Sequence, residues 1–396
     1  MFCGPYDGAL TGRRDNSHQI GQYSIAPAPP KSLQILHGTD RCHAVSLLLS
    51  YAELEGQSAV TGASGSSFWH AVEESLVGAM TETSPLVSVV IPAYNAAETL
   101  ERAIVSVLRQ TYEPLQIVVV DDASDDATLT AARSFKSQGV ESVRLPRRLG
   151  AAAARNHGIS LCQGEYIAFL DADDAWHDSK IGKQIVLLRD VPDMAFIACA
   201  ARLFPMNGSA PRALNAGRRP SPGPDAWKEL LTVPIIATPS VIARRLAILD
   251  VGGFNPALEI AEDQDLWIRL ARHGHCGYLG EVLVDVHERP DSLSARTALG
   301  VRIRTEYAMV SRYLEDAAYP MTKSEKRGIW SRRFLTWANA AHARGKPLTA
   351  VKFFLRAAAM GNSPLWNTAQ AASVMFSVPP LRRVYALSRT GKSSSS

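Results

Sequence analysis

The stretch VSVVIPAYNAAETLERAIVSVLRQTYEPLQIVVVDD, Val87 to Asp122, decides the fold. Val87–Ile91 is β-branched except for Ser88, the composition of a strand buried on both faces. Ala97–Gln110 then spaces Leu100, Ile104, Val107 and Leu108 along one helical face. Leu115–Val120 reads as a second buried strand. The alternation continues outward with a helix at Thr128–Ser137, a short strand at Ser142–Leu145, a helix at Ala151–Ser160 and a strand at Tyr166–Leu170. This β-α-β-α order predicts an α/β, Rossmann-like fold: a mostly parallel central sheet with helices on both faces. Ligands of such sheets bind beyond the carboxyl ends of the strands.

Two later strands are expected at Ala195–Ala201 and Val233–Ser240, on either side of the Pro/Gly-rich loop NGSAPRALNAGRRPSPGPD. Glu262–His273 reads as a helix with Leu266, Trp267 and Leu270 in the core, and Val282–Val286 as a strand. After about residue 301 the strands stop. Arg302–Leu314, Lys323–Arg344, Pro347–Met360 and Pro364–Val378 all have helical spacing, and a serine run at the end is expected to be disordered. Residues 1–84 carry too little periodic apolar pattern for a core and read as a flexible leader; Met80 is an alternative start. The expected organisation is a leader (1–84), a catalytic domain (85–300) and a basic helical C-terminal region with a disordered tail (301–396).

Charge supports that division. Residues 301–396 hold 16 Lys/Arg and 4 Asp/Glu, a net +12, whereas the other 300 residues hold 26 and 34, a net −8. A basic region on an acidic body implies an anionic partner. The stretch VPPLRRVYALSRTGK points to peripheral contact with the inner face of the cytoplasmic membrane, while the acidic body argues against nucleic acid. The five cysteines, Cys3, Cys42, Cys162, Cys199 and Cys276, lack metal-ligand spacing and fit a reducing cytoplasm. No run of about 18 uncharged apolar residues is present to span a membrane.

Acidic and turn-forming residues gather at the strand ends. Pro92-Ala93-Tyr94-Asn95 follows the first strand, Asp121-Asp122 the second, and Asp171-Ala172-Asp173-Asp174 the fourth, while GAAAARN from Gly150 opens a helix. Like charges on one sheet edge repel unless a cation or donors compensate them. A hard divalent ion completed by phosphate oxygens does so. The GKSSSS terminus lacks the first glycine and the preceding strand of a phosphate loop, and no G-x-G-x-x-G follows the first strand, which argues against a dehydrogenase.

Five segments in order resemble the family 2 glycosyltransferases, nucleotide-diphospho-sugar enzymes of the GT-A type fold. They are VSVVIPAYNAAETLERAIVSVLRQTY, VVVDDASDDAT, GAAAARNHGI, GEYIAFLDADDAW and AEDQDLWIRLARHG, within roughly residues 85–295. The resemblance implies that Pro92, Tyr94 and Asp122 contact the donor nucleoside. It implies that Asp173 binds Mg²⁺ or Mn²⁺ and that Asp171 holds ribose or sugar hydroxyls or orders the metal's water shell. Arg155 is a candidate diphosphate contact, and equally a surface helix residue. Asp263 is implied as the general base, although acids in a helix's first turn also offset its dipole. Asp265 is expected on another face, as a structural residue. His287 and Arg289 are candidate diphosphate or metal contacts. The implied activity is inverting transfer of one sugar from a nucleotide-diphospho-sugar to a saccharide or lipid-linked acceptor in cell-surface polysaccharide synthesis. The alternatives are a sugar-1-phosphate nucleotidyltransferase, which would need a Gly-rich, basic loop where PAYNAAET stands, and a non-catalytic nucleotide-sugar-binding protein.

Overall fold

The computed structural model describes residues 84–214, 218–221, 223, 225–290, 292–361, 368, 371, 373 and 374. The leader, except Ser84, and the tail beyond Val374 lie outside the described residues, as does most of the Pro364–Val378 helix.

The strands in chain order are β1 (Val87–Ala93), β2 (Leu115–Asp121), β3 (Val140–Arg144), β4 (Tyr166–Phe169), β5 (Ala175–Trp176), β6 (Met194–Phe204), β7 (Arg212–Ala213), β8 (Ile242–Arg244) and β9 (His275–His287). They form one sheet in the order β3-β2-β1-β4-β8-β6-β9-β5, with β7 paired to β6. β1 to β4 are mutually parallel, and β6 and β9 pair in parallel. The short β8 and β5 run antiparallel to their neighbours. The sheet is therefore mixed and mostly parallel, as the alternation implied.

Helices cover both faces. α1 (Leu100–Leu108), α2 (Thr128–Arg133), α3 (Ala151–Leu161), α4 (Lys180–Asp190), α5 (Ala226–Thr232), α6 (Arg245–Asp250) and α7 (Glu262–His273) intervene between strands. Val87, Val89 and Ile91 pack with Leu100 and Ile104 of α1 and Ile181 and Ile185 of α4. Val90 points the other way, to Ile159 of α3, Leu230 of α5 and Leu266 of α7. Both faces of β1 are thus dry, which explains a β-branched run interrupted only by Ser88. Ser88, fully buried, is accommodated by donating to Gln116 Oε1 at 2.7 Å and accepting from the Gly164 N–H at 2.9 Å. Gly158 lets α3 lie directly on β1, since a Cβ there would stand 2.5 Å from Val90 Cγ1. Phe169, Phe254, Phe196 and Trp267 form an aromatic cluster with centroid separations of 5.2–6.0 Å.

Two expectations need correction. Val233–Ser240 is not a strand: it runs as coil into a 3₁₀ turn at Thr238–Ser240, and the strand begins only at Ile242. Pro234 and Pro239 lack the N–H groups that a central strand must donate. The Thr128–Ser137 helix ends at Arg133, followed by a 3₁₀ turn closed by Gly139 at a φ of 82°.

Beyond the sheet lie α8 (Leu293–Arg296), α9 (Leu299–Glu315), α10 (Lys323–Ala343) and α11 (Pro347–Ala359). A Thr322–Glu325 capping box starts α10. Met309, Val310, Tyr313 and Leu314 of α9 join the core that contains Trp267. Asp265, 1% exposed, is the polar tie between these parts: it accepts from Tyr313 Oη and Arg269 Nε, both at 2.8 Å, and pairs with Arg312. That is the structural role expected for it. Phe334, Trp337, Phe353 and Phe354 build a separate core between α10 and α11. Among the described residues the cysteines Cys162, Cys199 and Cys276 are buried and free, and no helix is long and apolar enough to cross a membrane.

Candidate active site

The carboxyl ends of β1, β2 and β4 stand side by side, so the loops read from the sequence converge. Ala93 and Asp121 are register partners, and the Asp122 N–H donates to the Ala93 carbonyl at 2.8 Å. Asn95 shapes the first loop from a left-handed φ of 48°, accepting from the Asp125 N–H at 2.9 Å. Asp122 ties the second loop to the third. Its carboxylate accepts from the Leu149 and Gly150 N–H groups at 2.7 and 2.8 Å. Gly150 itself sits at a φ of 90°, a conformation that disfavours a Cβ even where space is open. The guanidinium of Arg148 lies 4.0 Å from the centroid of the Tyr94 ring.

Arg155 is not a surface residue. It is 5% exposed, and its two Nη groups donate to Asp171 Oδ1 at 2.7 Å and to Glu262 Oε1 at 2.8 Å. One guanidinium therefore joins the β4 loop to the start of α7. Ala261, a non-glycine residue at a φ of 61°, turns the chain into that helix. Asp263 follows, half-buried; its Oδ2 accepts from the Thr238 hydroxyl at 3.0 Å. Burial and the neighbouring Asp263 push Glu262 up to about 7, opposed by Arg155.

The β4 loop is short of positive charge. Burial, and then the Asp171 carboxylate, push Asp173 up to about 6. Burial and the same two aspartates hold Asp174 well above the usual carboxylate range. Asp174 Oδ1 is occupied by the His287 N–H at 2.9 Å, which leaves Asp171 and Asp173 on the cavity. Arg102 donates to the Asp173 carbonyl, and Arg289 Nη1 to Thr99 Oγ1 at 3.2 Å. The His287 ring stacks on Phe204 at 4.9 Å, its Nδ1 buried without a partner, and burial lowers its pKa. Among the described residues no group of three or more His, Cys, Asp or Glu side chains is placed to hold a metal. The chemistry of Asp171 and Asp173 nonetheless fits a divalent ion whose remaining ligands are phosphate oxygens and water, because a cation beside them removes the repulsion that raises Asp173.

These parts line one cavity of about 840 Å³. Every candidate donor, metal or catalytic residue read from the sequence lines it except His287, whose ring stacks on Phe204 and whose N–H donates to Asp174. Sequence reasoning passed over Arg148, and it assigned Glu262 no partner. Arg296, Arg302 and Glu306, from the C-terminal helices, also reach the lining. The Arg302–Glu306 spacing of i, i+4 was the available signal.

Glu262 makes a pH dependence expected. A carboxyl whose native pKa, about 7, exceeds its ordinary 4.5 binds its proton more tightly when folded. Its contribution to stability is then greatest below about 4.5 and is lost as pH rises through about 7. Glu262→Gln keeps an acceptor for Arg155 and removes the titration. The metal-free wild type should lose more melting temperature than Glu262→Gln between pH 5 and pH 8. Parallel curves in thermal scans would show that Glu262 is ionised throughout.

The profile of glycosyl transferase family 2 matches residues 88–251. An uncharacterized glycosyltransferase of Rickettsia typhi is 30% identical over 231 residues, 54% of this chain and 68% of that protein. The Escherichia coli UDP-Glc:α-D-GlcNAc-diphosphoundecaprenol β-1,3-glucosyltransferase WfaP is 40% identical over 100 residues, and the amylovoran biosynthesis glycosyltransferase AmsB of Erwinia amylovora is 37% identical over 105. The chain spans only 40% and 35% of the lengths of these two. Staphylococcus aureus TarS 1–349 in complex with UDP-GlcNAc superposes with a TM-score of 0.54 at 16% identity, covering 78% of this chain and 93% of that one. The mannosyltransferase PcManGT of Pyrobaculum calidifontis, in complex with GDP-Man and Mn²⁺, superposes with a TM-score of 0.52 at 22% identity, covering 76% and 83%. At these identities the superpositions establish the GT-A fold. Fold, motif order and the matched length of relatives together place the chain in glycosyl transferase family 2.

Proposed function

We propose that this chain transfers one sugar, with inversion, from a nucleotide-diphospho-sugar to a hydroxyl of a saccharide or lipid-linked acceptor in cell-surface polysaccharide synthesis. One observation carries the reading: Asp263 lies on the same cavity as Tyr94, Asp171 and Asp173, with Oδ2 fixed by Thr238 at 3.0 Å. The names of the E. coli and Erwinia relatives support the pathway class, and the β-1,3-glucosyltransferase supports a diphosphate-linked acceptor.

Tyr94 and Pro92 hold the donor base, and Asp122, whose oxygens each keep a second lone pair, faces the nucleoside beside them. Arg155 orients Asp171 toward the donor's hydroxyls. Asp173 holds Mg²⁺ or Mn²⁺, with Arg289 near the diphosphate. When bound, the metal supplies positive charge to the departing nucleoside diphosphate. Asp263 accepts the acceptor's hydroxyl proton while that oxygen forms a bond to the anomeric carbon. The bond from that carbon to the diphosphate oxygen breaks on the opposite face, so configuration inverts. A hydroxyl is a weak nucleophile, which is why a fixed carboxylate is needed. A panel of UDP-, GDP- and dTDP-sugars with Mn²⁺ tests this. Release of one nucleoside diphosphate from one donor class is the expected result. Pyrophosphate release from a nucleoside triphosphate and a sugar 1-phosphate would mark a nucleotidyltransferase instead, and neither release would mark a binding protein.

A further inference from the structure

The cavity has a cationic part built after the segment that the family profile matches. α8 and α9 bring Arg296 and Arg302 onto the lining that also holds Asp171, Asp173 and Asp263. Arg302 donates through Nε to Glu306 Oε1 at 2.8 Å. On its own that i, i+4 pair would be neutral. Glu306, however, is 2% exposed and carries further partners: its Oε2 accepts from Trp337 Nε1 at 2.6 Å and pairs with Arg333 Nη1 at 3.4 Å. Arg333 is wholly buried, donates through Nε to the Leu231 carbonyl at 3.0 Å, and leaves Nη2 buried without a partner. Burial lowers its pKa only to about 10, so it stays charged at neutral pH.

One carboxylate thus faces two guanidiniums. A fully buried arginine has no water to screen it, so Glu306 must serve Arg333 through Oε2 while Oε1 serves Arg302. The trio keeps a net charge of +1, and its members on the cavity are Arg302 and Glu306. Only Nε of Arg302 is spent on Glu306, and the Nη edge suits the bidentate geometry of phosphate. Arg296, exposed on the same lining, adds a second guanidinium. The volume of about 840 Å³ is near the top of the ~300–1,000 Å³ typical of small-molecule sites. That leaves room for a second phosphorylated group beside the donor.

We infer that Arg296 and Arg302 form an acceptor subsite that takes a diphosphate ester, distinct from the place of the donor's own diphosphate. The inference rests on the transferase reading above. The Glu306–Arg333–Trp337 network behind it serves to hold Arg302 in place, with one carboxylate shared between two guanidiniums.

The test is calorimetric titration of the full chain with inorganic pyrophosphate and with farnesyl diphosphate, in EDTA, so that metal-held sites are silent. Each titration is repeated in excess UDP and GDP. Binding should survive the nucleotides and weaken about tenfold or more in both Arg296→Ala and Arg302→Gln, the scale of one charge-assisted hydrogen bond. Farnesyl diphosphate should bind at least as well as pyrophosphate. Competition by UDP or GDP would return both arginines to the donor site and overturn the proposal, as would wild-type affinity in Arg296→Ala. Binding of pyrophosphate with exclusion of the farnesyl ester would also overturn it. Arg296 has an exposed side chain, so its variant decides the matter even if Arg302→Gln proves unstable. Failure of the transferase reading shows separately, as a donor panel with no release while diphosphate binding persists.

Discussion

Asp263→Asn should leave donor affinity near that of the wild type and reduce sugar transfer by at least about a hundredfold, the low end of what a general base contributes. The substitution is close to isosteric. Oδ1 of Asp263 accepts from the Gln264 N–H at 2.7 Å and Oδ2 from the Thr238 hydroxyl at 3.0 Å. An asparagine oxygen can keep either bond, so the start of α7 should stay folded. The amide cannot take a proton from an acceptor hydroxyl, so the loss should appear in transfer and not in donor binding. The check is steady-state transfer alongside calorimetric donor binding. Loss of donor binding in parallel with transfer would make Asp263 part of the donor site and not a base. Near-normal transfer would remove it from the chemistry.

Asp173→Asn should have an equal or larger effect on turnover. A metal that stabilises a departing diphosphate contributes several kcal/mol to the transition state, so losing its ligand should cost about a thousandfold or more. Nucleoside diphosphate affinity should fall in Mn²⁺ and change little in EDTA. Stability should move differently from activity. Asp173 is raised by burial and by Asp171, so a neutral isostere relieves repulsion, and the metal-free variant should melt no lower than the wild type. A variant that loses activity while its melting temperature also drops would point to a folding defect. Full wild-type activity in EDTA would end the metal assignment.

Local sequence was informative where burial and chemistry are both local. The β-branched run Ile117–Val120 in β2 is a strand dry on both faces, and its carboxyl end carries the polar loop. Glu262–His273 is a helix with the bounds read from its spacing, because Leu266, Trp267 and Leu270 repeat on one face. Pro92, Tyr94, Asp122, Asp171 and Asp173 were legible as a set, because parallel strands bring their ends together.

What the sequence left open were pairings across long separations, which have no period. Arg155 and Glu262 are 107 residues apart, and nothing near either signals the other. Alone, each reads as a helix-surface charge; together they become a buried bridge that orients Asp171. His287 reads as a ligand candidate in the sequence, and the tertiary fold stacks its ring on Phe204, a partner that no local pattern signals. The basic C-terminal region had a net charge legible by counting, but not its placement. Only packing of α9 and α10 sets Glu306 between a buried Arg333 and Arg302 at the cavity. Composition and periodicity thus determined the sheet, its helices and the acids at its edge. The tertiary structure decided which charges meet, because packing brings a buried carboxylate its partners from distant parts of the chain.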